Sequence, residues 1–141
     1  MSVFRRILFA HDGGMLAERA LVYLEHVARV EQAEVIVLHV YQLPERYATV
    51  EGYEALRAQY EAIGNEIVDD AVAQLQQREV NARSLVLPGD SARVILETAA
   101  REEVSLIVIG TRGPSNMAEL VLGSVSVEVL RHASCPVLVV P

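Results

Sequence analysis

The chain of 141 residues contains no lysine; its twelve basic residues are all arginine. That removes the phosphate-binding lysine of a P-loop, a Schiff-base lysine and a lysine general base. It also removes the response-regulator chemistry of paired aspartates with a lysine. Tryptophan is missing, and aromatic residues make up 5% of the chain, which leaves few rings to sandwich a flavin. Cys135 is the only cysteine. An internal disulfide and a cysteine metal cluster are therefore excluded, and a reducing compartment is the simple reading. Positive charge is in the minority, with 12 basic against 19 acidic residues and a net charge of −7. Nucleic-acid backbones and anionic membrane surfaces call for clustered basic residues, so this balance argues against both as partners. No apolar run approaches the roughly 18 residues of a membrane span. The stretch Ile7–Ala10 after Arg5-Arg6 is too short for the core of a signal peptide. A soluble, cytoplasmic protein is expected.

Apolar residues are 52% and charged residues 22% of the chain, a globular composition slightly rich in aliphatics. The length suits one domain over residues 1–141. A chain of this size buries roughly 68–70% of its unfolded surface and needs no disulfide or metal staple. Four aliphatic runs stand out, Ile7–Ala10, Val35–Val40, Leu106–Ile109 and Val137–Val140, with a weaker fifth at Leu85–Leu87. They are continuous rather than alternating, as in strands buried on both faces. Between them, apolar residues recur at helical spacing: Ala17, Ala20, Leu21, Leu24, Val27, Ala28; then Leu56, Tyr60, Ile63, Ile67, Ala71, Leu75; then Ala92, Ile95, Leu96, Ala99, Ala100; then Val125, Val129, Ala133. The expected fold is a single doubly wound, Rossmann-like α/β domain of five parallel strands and four helices.

Ligands of open α/β sheets sit outside the carboxyl ends of the strands. Those positions are Ala10–Gly14, Val40–Leu43, Leu87–Ser91 and Gly110–Ser124. The last begins Gly110-Thr111-Arg112-Gly113 and ends Gly123-Ser124, where a helix is expected to open. Glycines let backbone approach a ligand closely and adopt positive φ. A helix starting at Ser124 turns unpaired N–H groups and its positive dipole end toward an anion. Ser124 and Ser126 add hydroxyl donors. Turn and cap glycines with no ligand give the same pattern.

The spacing Gly110-x2-Gly113-x9-Gly123-Ser124 resembles the nucleotide-binding motif of the universal stress protein family. Arg6–Gly13, Val37–Val40, Pro88–Leu96 and Leu130–Val140 resemble its first two strands, its third helix start and its C-terminal signature. Residues 41–80 carry no such likeness. The resemblance implies a full-length single-domain member with strand order 3-2-1-4-5, in the class that binds ATP, with Mg as the accompanying ion. It implies that Gly113, Gly123, Ser124, Val125 and Ser126 hold phosphates and that Gly110 lies by the ribose. Asp12 would meet ribose or a phosphate-bound divalent ion, and Val40 the adenine edge through its backbone. Ala10 and His11 replace the proline or valine and the threonine or valine often found in the family. Gly14 stands where a serine is usual, at the small cost of a glycine cap. The resemblance further implies a homodimer through the edge strand Val137–Val140, with Cys135 nearby as a buried free thiol.

His11 sits beside the expected ligand and has two readings: a phosphate contact or pH sensor, or a side chain packed under the first helix. His39 reads as a satisfied strand-end histidine, and His132 as a cation at a helix C-terminus. No histidine pair has metal-ligand spacing, so no protein metal site is expected. Asp69-Asp70 and Arg101-Glu102-Glu103 read as solvated surface. Arg112 is the best-placed cation for a phosphate. Tyr41, Tyr47, Tyr53 and Tyr60 surround the loop after the second strand and fit either a lid over adenine or helix packing. Three functions compete. The first is an ATP-binding stress-response regulator with an unknown protein partner. The second is a slow ATPase or autophosphorylating enzyme using Asp12, His11 and Arg112. The third is a ligand-free dimeric scaffold.

Overall fold

The computed structural model describes residues 3–110 and 123–141. Its elements follow in the order β1 (Arg6–Ala10), α1 (Met15–Glu31), β2 (Glu34–Tyr41), α2 (Tyr53–Gln77), β3 (Asn81–Pro88), α3 (Ser91–Arg101), β4 (Leu106–Gly110), α4 (Ser124–His132) and β5 (Val137–Val140). A single 3-10 turn, Glu45–Tyr47, interrupts the segment between β2 and α2. The five strands are parallel in the order β3-β2-β1-β4-β5. Fold class and strand order both agree with expectation.

The continuous aliphatic runs have the cause expected of them. Ile7, Phe9, Val35, Val37, Leu106 and Val108 point to the layer of α1 and α2. Leu8, Ile36, Leu38, Ile107 and Ile109 point to α3 and α4. Side chains alternate across a strand, so a strand covered on both faces must be apolar at every position. At the amino edge of the sheet, Arg83 bridges Glu34 at 3.0 Å and Glu102 at 2.7 Å. Arg6 Nη1 donates to the Glu102 carbonyl at 2.7 Å. These groups are partly solvated, so they align strand ends more than they stabilise.

Helix α2 departs from the expected stripe. Leu56, Tyr60 and Ile63 are 43%, 42% and 56% exposed. The buried residues are Gly64, Val68, Ala71 and Leu75. The sequence carries two adjacent apolar faces here, and only the second half of the helix lies on the sheet. Packing against β2 and β3 selects the face with Gly64, because the helix comes in close there. A Cβ on Gly64 would stand 2.9 Å from both His39 Cδ2 and Val86 Cγ1. In α3, Ala100 is exposed and Val94 and Thr98 are buried instead.

Gly64→Ala therefore sets a helix-propensity gain of about 1 kcal/mol against overpacking of roughly 1–3 kcal/mol. Urea denaturation should show a net loss on the order of 1 kcal/mol. A stabilised variant would mean that α2 does not press on His39 and Val86.

Candidate functional site

Strand order reverses at β1, whose neighbours are β2 and β4. Crossovers leave in opposite directions there, and a cleft opens at the carboxyl ends. A cavity of about 240 Å³ occupies this position. Ala10, Leu38, Val40, Ile109 and Gly110 form its floor at the ends of β1, β2 and β4. Ala17 comes from the first turn of α1, Ser91 and Ile95 from α3, and Ser124, Val125 and Ser126 from the first turn of α4.

Three helix N-termini thus face one cavity, each with unpaired amides and the positive end of its dipole. They are not equivalent. Asp90 caps α3, its Oδ2 accepting the Arg93 amide at 3.1 Å. The caps of α1 and α4 are Gly14 and Gly123, which bring no side-chain acceptor. Anion-receiving amides are therefore left at α1 and α4, while α3 presents a hydroxyl and the apolar Ile95. Among the described lining residues there is one carboxylate, Asp12, and no lysine or arginine. The cavity is polar on the α4 side and apolar between Leu38, Val40 and Ile95.

Of the expected site residues, Ala10, His11, Asp12, Val40, Gly110, Gly123, Ser124, Val125 and Ser126 line this cavity. Arg112 and Gly113 lie outside the described residues. Gly123 has φ −72° and ψ 165°, extended backbone open to any residue. What glycine supplies at that position is the missing side chain. Ala17, Leu38, Ser91, Ile95 and Ile109 were not anticipated as lining. Ser91 fell within a strand-end window, and Ile95 follows one helical turn later; no motif distinguishes the others. The tyrosines do not line the cavity. Tyr41 is buried in the core and Tyr47 and Tyr60 are exposed, which gives the described cavity no aromatic lid.

His11 is 4% exposed and packs against Phe9 with ring centroids 5.3 Å apart. The ring is packed beside α1, and the residue also lines the cavity. Its Nε2 lies 3.7 Å from Glu18 Oε1 on α1. Burial pushes the imidazole below its ordinary value of 6.5, the Glu18 and Asp12 carboxylates pull it up, and His39 pushes it down. His39 is satisfied, its Nδ1 donating to the His11 carbonyl at 2.8 Å. His132 ends α4, 3.5 Å from Glu128. Among the described residues no group of histidine, cysteine and carboxylate side chains is arranged to hold a metal. No described helix is long and apolar enough to cross a membrane. Cys135 is half-buried, and burial raises its thiol above the ordinary range.

An open parallel α/β sheet with a cavity at its switch point defines the doubly wound, Rossmann-like class of domain. The universal stress protein family model matches residues 4–141. A universal stress protein of Bacillus subtilis, YxiE, is 32% identical over 98% of this chain and 99% of its own length. The chain belongs to the universal stress protein family. The solved structure of MJ0577, a universal stress protein of Methanocaldococcus jannaschii, superposes with a TM-score of 0.86 at 27% identity, covering 98% and 96% of the two chains. Two others share the fold. The Archaeoglobus fulgidus protein in complex with dAMP has a TM-score of 0.72 at 22% identity, covering 99% of each chain. The Arabidopsis thaliana protein with AMP bound has 0.74 at 24%, covering 96% and 90%.

The lowered His11 value has a consequence for stability. The unfolded chain takes up the proton first, so the contribution of His11 is complete above pH 6.5. It is lost as pH falls from there toward the folded value. Thermal melts between about pH 8 and pH 5 should decline through this window, and His11→Asn should flatten the decline. An identical profile in the variant would assign the decline to another group.

Proposed function

We propose that the chain binds an adenine nucleotide, ATP with a divalent cation, and acts as a cytoplasmic stress-response regulatory module. The observation that carries this is the division of the cleft. Uncapped amides and hydroxyls at Gly123–Ser126 suit phosphates, and the wall of Leu38, Val40 and Ile95 suits a base. The relatives solved with AMP and dAMP support the adenine reading. Val40, at the end of β2, meets the adenine edge; Ala10 and Gly110 lie by the ribose, and Asp12 is at the rim. Arg112 and Gly113, outside the described residues, are proposed as further phosphate contacts on the glycine motif alone.

Binding rather than fast phosphoryl transfer fits this chemistry. Rapid transfer uses cations around the transferring group and a residue that orients the nucleophile. The described wall has no cation, and the His11 ring is occupied by protein contacts. β5 pairs with β4 along one side only, and its other side is where a second copy would add in a homodimer.

The test is a ligand inventory. Purified protein is heat-denatured and the supernatant analysed for nucleotide, then apo protein is titrated with ATP and AMP, with and without magnesium. Bound adenine nucleotide, or saturable binding, is expected. Finding neither would sink the proposal. Gly123→Phe should abolish binding and leave the melting temperature of the apo protein unchanged. Where wild type binds, ligand at about 100 times its Kd should add roughly 2.7 kcal/mol of stability. Analytical ultracentrifugation should give twice the chain mass; a monomer at every concentration would remove the dimer.

A further inference from the structure

His11 occupies an unusual position, beside the cleft in sequence yet with its ring closed off from water. Both of its backbone groups are tied to β2. Its amide donates to the Leu38 carbonyl at 2.8 Å, and its carbonyl accepts from His39 Nδ1 at 2.8 Å. The ring therefore has a fixed origin. Its Nδ1 lies 3.0 Å from the Gly13 amide nitrogen. A backbone N–H can only donate, so Nδ1 carries the lone pair and the proton resides on Nε2.

The turn held in this way is demanding. Gly13 has φ +89°, and a Cβ there would also stand 2.9 Å from Ile67 Cδ1 on α2. The following amide, of Gly14, donates to Asp12 Oδ1 at 2.8 Å. Two successive amides are thus oriented, one by His11 and one by Asp12. Between them they fix where the only carboxylate of the described cavity wall points.

We infer that His11 is a positioning residue of the cleft: its Nδ1 accepts the Gly13 amide and so sets the turn that presents Asp12 to the ligand. It acts through Gly13 rather than by touching nucleotide. The nucleotide part of this inference rests on the proposed function; the turn geometry does not. Gly13 is exposed, so a released amide can turn to water. The consequence is a loosened turn rather than an unfolded domain.

Asn and Gln separate the two ring nitrogens. The amide of Asn reaches the position of Nδ1, whereas that of Gln extends toward Nε2. Imidazole 15N shifts of the apo protein should show His11 protonated on Nε2 alone. The Gly13 amide should keep the small temperature coefficient of a hydrogen-bonded amide in His11→Asn and lose it in His11→Gln. AMP affinity by calorimetry should stay within about threefold of wild type in His11→Asn and fall up to tenfold in His11→Gln, the worth of one hydrogen bond. A proton on Nδ1 would overturn the inference. So would a Gly13 amide and an AMP affinity in His11→Gln that both match wild type. If wild type binds no nucleotide, the proposed function fails while the two NMR observations still decide the role of His11.

Discussion

The pairing of β1 with β2 on one side and β4 on the other governs this molecule. Both neighbours run parallel to it, so neither can be reached by a short hairpin and each requires a helical crossover. One crossover leaves toward each half of the sheet. α1 and α2 then share one face, and α3 and α4 the other. Among the described residues, the carboxyl ends of β1 and β4 open onto the cavity. The cleft is what remains when a parallel sheet is wound in both directions from its middle. The three helix amino ends around it follow from the same topology, because each helix returning from a strand begins at that edge.

The amino and carboxyl edges are built on opposite electrostatic plans. At the amino edge, Arg6 and Arg83 meet Glu34 and Glu102, and charge is matched within the domain. At the carboxyl edge, the described wall offers backbone amides, hydroxyls and one carboxylate. The described wall offers a phosphate such fixed dipoles and no cationic side chain. They are set in place by folding and need no side-chain ordering when a ligand arrives.

Much of this was legible in the residues. The strands were plain because burial on both faces leaves an unbroken Val/Ile signal, and the glycine spacing located the α4 end of the cleft. Legibility failed where apolar residues have two possible uses. Leu56, Tyr60 and Ile63 continue a helical stripe, but which face of α2 meets the sheet is decided by the close approach at Gly64. Leu38, Ile95 and Ile109 serve core and cleft wall at once, and nothing local marks that second use. His11 was identifiable as a residue of interest. Its hydrogen-bonding partners were not, since a contact with an amide two residues on depends on the positive φ of Gly13.

The lone carboxylate at the rim also bears on kinetics. On the proposed function, a nucleotide anion would approach a chain of net charge −7 whose described cavity wall carries one carboxylate, Asp12. Long-range forces retard that encounter, and the favourable dipoles act only at contact because their fields fall off within a helical turn. Dissolved salt shortens the reach of the repulsion to about 8 Å at physiological strength. On the proposed function, capture of a free anion by this cleft would therefore quicken as ionic strength rises, the reverse of a site ringed by lysines.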